Sequence, residues 1–222
     1  MEQKIITTND GSKTIYLPHL DETYHSSHGA VQEARHVFIR HGIQSLDKDE
    51  LSVFEMGFGT GLNALLSCVE AEQSDRRIHY SGIEAYPVEF DLAVQMDYCA
   101  LIGEEYQSRF EELHKSDWNC NHQLSELFTF EKIHLKIEEY TPESERYDIV
   151  YYDAFGPRAQ EDMWTRSILK KMYDLLKPGG FLVTYCAKGQ VKRDLKSIGF
   201  EIESLQGPPG KREMTRAWKT EI

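Results

Sequence analysis

Residues 53–66 read VFEMGFGTGLNALL, and this stretch decides the fold. An apolar run closes on an acid at Glu55, glycines follow at 57, 59 and 61, and a helix-forming run begins at Leu62. That order is a strand, a tight turn and a helix start. A triphosphate-binding loop needs G-x-x-x-x-G-K-[ST], but Gly61 is followed by Leu62 and Asn63. The dinucleotide fingerprint G-x-G-x-x-G is not met either. The spacing here is G-x-G-x-G, with a carboxylate two residues ahead of the first glycine. A negative charge beside the turn repels a pyrophosphate and suits a cation.

Outward from this turn, strands and helices alternate. Strands are expected at LSVFEM (51–56), IHYSGIEA (78–85), IHLKIEEY (133–140), YDIVYYDAF (147–155) and GFLVTYCA (180–187). Helices are expected after Gly61, after Pro87, around Met163 to Leu176, and over Gln190 to Ile198. Such alternation means βαβ units and a parallel sheet covered on both faces, a Rossmann-like, doubly wound α/β fold. The end of the chain departs from it. FEIESLQ (200–206) and KREMTRAWK (211–219) are consecutive strands joined by GPPG, which makes an antiparallel hairpin at the sheet edge. At the start, Asn9-Asp10-Gly11 separates two β-prone runs, a hairpin signal. GAVQEARHVFIRHG (29–42) then places Val31, Ala34, Val37, Phe38 and His41 on one helical face. Residues 1–42 therefore read as a hairpin-and-helix appendage packed on a main domain of residues 43–222.

Composition narrows the class. With 222 residues, 40% hydrophobic and 28% charged, the chain reads as an ordinary soluble globular protein of one domain with a small addition. No run approaches the roughly 18 apolar residues of a membrane span, and MEQKIITTNDG has neither the basic nor the apolar region of a signal peptide. A cytoplasmic location is expected. Cys68, Cys99, Cys120 and Cys186 are far apart and form no C-x-x-C pair, so they read as reduced thiols. His25-x-x-His28 has a helical spacing but no clear third ligand, and no metal is expected. The net charge of −12 is unevenly spread: residues 1–150 hold 12 basic and 28 acidic side chains, residues 151–222 hold 13 and 9. Only the last third is mildly basic, which permits a polyanionic partner there without requiring one.

The ligand of the glycine turn follows from the acids at strand ends. Ligands of open α/β sheets bind beyond the carboxyl ends of the strands, where the winding reverses. Glu55 ends the first strand and Glu84 the next, where an acid can accept both hydroxyls of a ribose. Glu138 or Glu139, at the end of the third candidate strand, comes within reach of an adenine amino group, with Glu138 preferred. A ligand with an ammonium, a sulfonium, a ribose and no phosphate is S-adenosylmethionine, and Glu55, Gly57, Gly59, Gly61, Glu84 and Glu138 are the candidate cofactor residues. Asp153 ends the fourth strand and is the candidate both for a cofactor contact and for the catalytic base. It can hold an amine and accept its proton.

FEMGFGTGLN and GIEAYP resemble the first two motifs of class I S-adenosylmethionine-dependent methyltransferases. More specifically, YYDAFGPRAQEDMWT, LLKPGGFLVTYCAKGQVKRDLKSIGF and GPPGKREMTRA, together with DETYHSSHGAVQEARHVF near the start, resemble the methyltransferase part of the bacterial MnmC family. That resemblance covers roughly the whole chain. It implies methylation of an aminomethyl group on the wobble uridine of certain tRNAs. It also implies that Lys211 and Arg212 face the RNA backbone. Phe155 and Pro157 are expected to shape the substrate loop, with Trp164 either stacked on the base or buried in the core. Tyr185 and Lys188 are expected at the substrate mouth. Two-part members carry a flavin-dependent oxidoreductase half. This chain has no second glycine fingerprint, so it is expected to lack that half and to depend on a separate enzyme for the amine. Where the family pattern tends to carry a proline before Met-Trp, this chain reads Gln160-Glu161-Asp162, so its substrate loop is expected to differ. Two other readings remain open: a methyltransferase of the same fold acting on a small-molecule amine such as a polyamine, and a non-catalytic binding module.

Overall fold

The computed structural model describes residues 2–141 and 143–220. A small antiparallel sheet opens the chain, formed by β1 (Lys4–Thr7), β2 (Lys13–Leu17) and β3 (Glu22–Thr23). Helix α1 (Ala30–Ala34) follows and continues in π geometry over Arg35–Arg40. The main sheet begins with β4 (Glu50–Met56), α2 (Leu62–Ser74), β5 (Arg77–Glu84), α3 (Phe90–Val94), α4 (Cys99–Ile102) and α5 (Gln107–Lys115). It continues through β6 (Asn121–Gln123), β7 (Phe128–His134), β8 (Tyr147–Tyr152), α6 (Arg166–Leu175), β9 (Leu176–Thr184) and α7 (Gly189–Ile198). The closing strands are β10 (Glu201–Gln206) and β11 (Glu213–Trp218).

The eight strands of the main sheet lie in the order β10-β11-β9-β8-β4-β5-β7-β6. The strands from β9 to β7 in that row are mutually parallel, whereas β6, β10 and β11 pair antiparallel. From β4 the chain winds outward to β5 and β7, then returns to place β8 on the other side of β4. The switch point therefore lies between β4 and β8, where Glu55 pairs with Tyr151 and Met56 with Tyr152. Alternation along these strands fills both faces: Val53, Ile149 and Tyr151 join a core with α2 and α5, while Phe54, Val150 and Tyr152 join a second core with α6 and α7. Ile168, Leu169, Met172 and Leu175 form the buried stripe of α6. The N-terminal segment shares the first core through Ile15, Leu17, Ala30, Val37 and Phe38.

Two local expectations shift. The third strand is FTFEKIH rather than IHLKIEEY, because Lys171 turns the later segment away from the ladder by donating from Nζ to the carbonyls of Ile137, Glu138 and Tyr140 at 2.8, 2.6 and 3.0 Å. The last strand opens at Glu213, so Lys211 and Arg212 lie in the turn before it.

Candidate active site

The glycine turn answers its own question through its backbone donors. Gly57 and Phe58 both give their N–H to the Ile83 carbonyl at 3.1 Å, and Gly61 gives its N–H to Phe58 at 2.9 Å. Gly59 donates to Glu84 Oε2 at 3.0 Å, and Tyr86 donates to Glu84 Oε1 at 2.9 Å. The amides of Gly57, Phe58, Gly59 and Gly61 are thus already used, and the one at the middle of the turn is given to a carboxylate. Burial raises the Glu84 pKa, opposed by the N–H groups of Tyr86 and Gly59. The turn requires glycine at Gly57 (φ 92°) and Gly59 (φ 52°), where a Cβ would meet the Asp153 carbonyl oxygen at 3.1 Å and a Tyr24 ring carbon at 3.3 Å.

A cavity of about 330 Å³ opens over this turn and reaches the end of β8. Gly57, Gly59, Glu84, Glu138, Asp153 and Phe155 line it, so six of the expected residues converge. Its size and mixed lining suit a cofactor-sized ligand. The cavity fits S-adenosylmethionine in chemistry: a carboxylate at the end of β5 that takes the Gly59 amide, and apolar walls from Met56, Leu62, Ile83 and Ile137.

Asp153 is fixed from two sides. Its N–H is bonded to the Met56 carbonyl at 3.1 Å, and its Oδ2 accepts from Asn63 Nδ2 at 2.8 Å. The next two residues are braced as well. Tyr185 donates its hydroxyl to the Ala154 carbonyl at 2.8 Å, and Trp164 donates its indole N–H to the Phe155 carbonyl at 2.7 Å. Burial pushes the Asp153 carboxyl up to about 7, against the Asn63 hydrogen bond, with Glu33 raising it and Lys211 lowering it. A carboxyl in that range exchanges a proton at neutral pH.

Other expected residues are placed differently. Glu55 is 1% exposed and does not reach the cavity wall. It lies beneath the turn, accepting from the same Asn63 Nδ2 at 2.8 Å, and burial lifts its pKa well above the usual range. Glu55 therefore lies behind the cavity wall, where a direct contact with a cationic ligand was expected. Gly61 is the left-handed cap of α2 at φ 74° and lies outside the lining. Trp164 is 6% exposed and packs edge-on against Tyr152 at 4.9 Å, which makes it core rather than a stacking platform. Pro157 and Lys188 lie outside the cavity lining, Lys188 being exposed at the start of α7. Lys211 is ion-paired with Glu33, and Arg212 is 93% exposed beside Glu213.

The sequence reading missed Asn63, Tyr24, His25 and Tyr86. Asn63 was visible as the second residue of α2, the position that points back at the strand ends. Tyr86 follows Glu84 by two residues and is 68% exposed at the mouth. Tyr24 and His25 come from the N-terminal segment and carried no signal. Tyr24 packs edge-on against Phe155 at 5.2 Å. Burial lowers the His25 pKa to about 4, so the ring is neutral, and its Nδ1 is buried without a partner.

Comparison with known proteins agrees with this geometry. Residues 96–220 match the model of a family described as S-adenosyl-L-methionine-dependent methyltransferase. The matched segment includes Asp153 and the β10–β11 hairpin. The chain is 31% identical over 230 residues to the tRNA 5-methylaminomethyl-2-thiouridine biosynthesis bifunctional protein MnmC of Cupriavidus metallidurans, covering 96% of this chain and 33% of that protein. It is 30% identical to the protein of the same name from Delftia acidovorans, covering 98% of this chain and 35% of the relative. The chain thus spans about a third of the length of these relatives. Among solved structures, MNMC2 from Aquifex aeolicus superposes with a TM-score of 0.75 at 21% identity, covering 100% of this chain and 71% of that one. The CMeT domain of citrinin polyketide synthase gives 0.51 at 14% identity, covering 83% and 51%. Both likenesses are to the fold.

Proposed function

The chain belongs to this family of S-adenosyl-L-methionine-dependent methyltransferases, and from that premise we propose that it methylates the aminomethyl group of a modified wobble uridine in tRNA, converting 5-aminomethyl-2-thiouridine to 5-methylaminomethyl-2-thiouridine. One observation carries the reading: Asp153, a carboxyl poised near neutrality, lines the same cavity as a glycine turn whose Gly59 amide is given to Glu84. The relatives' names supply the nucleoside. S-Adenosylmethionine, when bound, supplies an electrophilic methyl group on a sulfonium.

The protein's own contribution is orientation, proton acceptance and exclusion of water. Glu84, after accepting two N–H groups, would keep lone pairs for the ribose hydroxyls, and Glu138 would meet the adenine end. Asn63 holds Oδ2 of Asp153 and leaves Oδ1 to receive a proton from the substrate ammonium. The freed nitrogen lone pair would then be placed to accept the methyl group that the bound cofactor would supply, with the proton held on Asp153. Tyr24 and Phe155 wall the acceptor side. Pro157 shapes the same loop, and exposed Lys188 and Arg212 contact phosphates to set register. The substrate amine must come from an amine-releasing activity, on the same polypeptide or on a separate enzyme. The reaction belongs in the cytoplasm with tRNA. Among the described residues no helix is long and apolar enough to cross a membrane.

Calorimetry tests the site. S-Adenosylmethionine is expected to bind and NAD to give no heat, and Glu84→Ala is expected to weaken cofactor binding by roughly 1–3 kcal/mol, the usual loss for hydrogen bonds to a charged group. Unchanged affinity in Glu84→Ala removes Glu84 from the site.

A further inference from the structure

Lys211 is engaged in a way that a phosphate-binding lysine is not. Its ammonium is 2.5 Å from Glu33 Oε2 and 3.9 Å from the centroid of the Tyr185 ring. Tyr185 in turn donates its hydroxyl to the Ala154 carbonyl, the residue after Asp153. Glu33 belongs to α1, and its other oxygen accepts the Ser26 N–H at 3.3 Å, next to His25 on the cavity wall. A lysine that holds a carboxylate and an aromatic face together has its charge committed on two sides. Arg212, by contrast, extends into solvent.

Resting on the reading of Asp153 as the base, we propose that Lys211 is a positioning residue for Asp153, holding its loop in place through Tyr185, and that it makes no phosphate contact. The groups acting on Asp153 come from every element around it. Asn63 of α2 donates to it and also to Glu55 of β4, Glu33 of α1 opposes its ionisation, and Lys211 favours it. Tyr80, Tyr98 and Tyr185 also face it, each kept uncharged by burial. Lys211 is the one cation in this set, so its removal leaves no positive charge facing the carboxyl.

The test follows the Asp153 carboxyl by ¹³C NMR titration in the purified chain, alongside kcat, KM for tRNA and the salt dependence of tRNA binding. In Lys211→Met the Asp153 midpoint is expected to rise by about half a unit or more as the nearby positive charge is lost. The acid limb of kcat rises with it, kcat at pH 7 falls about tenfold as base and loop are both disturbed, and the salt slope stays as in the parent. Lys211→Arg, which keeps the charge over the ring, is expected to restore most of the rate. Tyr185→Phe keeps the ring and loses the bond to Ala154, so it is expected to lower kcat with KM for tRNA unchanged, and it decides the matter should Lys211→Met fail to fold. An unmoved Asp153 midpoint with a salt slope flattened by about one unit makes Lys211 a phosphate contact and overturns the proposal. A Tyr185→Phe variant with full kcat overturns it as well. If the parent chain transfers no methyl group to tRNA, the substrate reading fails while the NMR titration still decides the role of Lys211.

Discussion

Asp153 bears two opposed demands, and both are measurable. Burial lifts its carboxyl from 3.8 to about 7. Between those values the folded chain keeps a proton that the unfolded chain has lost, so this group lowers stability as pH rises from about 4 to about 7, and the loss levels off above that. Asp153→Asn removes the charge and the penalty together. Asn63 Oδ1, buried without a partner, can accept from the new amide. At pH 8 the variant is expected to be more stable by roughly 1–3 kcal/mol, a figure reduced for the carboxyl's partial contact with the cavity. Methyl transfer is expected to fall roughly a hundredfold or more, with cofactor affinity kept. Thermal unfolding and turnover on one preparation check both halves. A variant that loses cofactor binding instead places Asp153 in the cofactor site rather than in catalysis.

At the level of elements, β4 and β8 create the site by ending side by side, and their other ends are clamped. Asp148, 2% exposed near the start of β8, accepts from Lys48 Nζ at 2.7 Å, Lys177 Nζ at 2.9 Å and the Ser52 N–H at 2.9 Å. Burial resists its ionisation, but these three donors hold its pKa below the usual carboxylate range. Its contribution is therefore present above pH 4 and lost as pH falls through the lowered value. Asp148→Asn is expected to cost roughly 1–3 kcal/mol at pH 7, discounted because both lysines are partly solvated, and to flatten the acid side of the stability profile. Urea unfolding between pH 3 and pH 7 reads this directly, and an unchanged midpoint at pH 7 removes the clamp. Strands β4, β5, β8 and β9 were legible because their apolar residues serve two cores. Strand β7 was misplaced by several residues because FTFEKIH and IHLKIEEY both carry a β-like pattern, and a lysine from a distant helix, Lys171, decides between them. Helices α4 and α5, over Cys99–Lys115, went unassigned for lack of a clear stripe in the first and a strong flanking signal in the second.

For the whole molecule, what the sequence revealed of the site is what the segments after β4, β5, β7 and β8 bring to the switch point: Gly57, Gly59, Glu84, Glu138, Asp153 and Phe155. What it concealed comes from remote segments meeting there. Tyr24 and His25 reach the cavity from the first 42 residues, and Lys211 is drawn from the last turn onto Glu33 of α1. Glu55 was visible as a strand-end acid, but the direction of its side chain, into the sheet and onto Asn63, depends on packing. The first 150 residues are acid-rich and the remainder mildly basic, so under the proposed function tRNA is expected to approach past α7 and the β10–β11 turn. The most direct test incubates the purified chain with S-adenosylmethionine and tRNA bearing 5-aminomethyl-2-thiouridine, followed by mass spectrometry of the digested nucleosides. The predicted result is the gain of one methyl group on the aminomethyl nitrogen, lost in Asp153→Asn. Cofactor binding with the nucleoside left unmodified, or methylation of a polyamine in its place, contradicts the account.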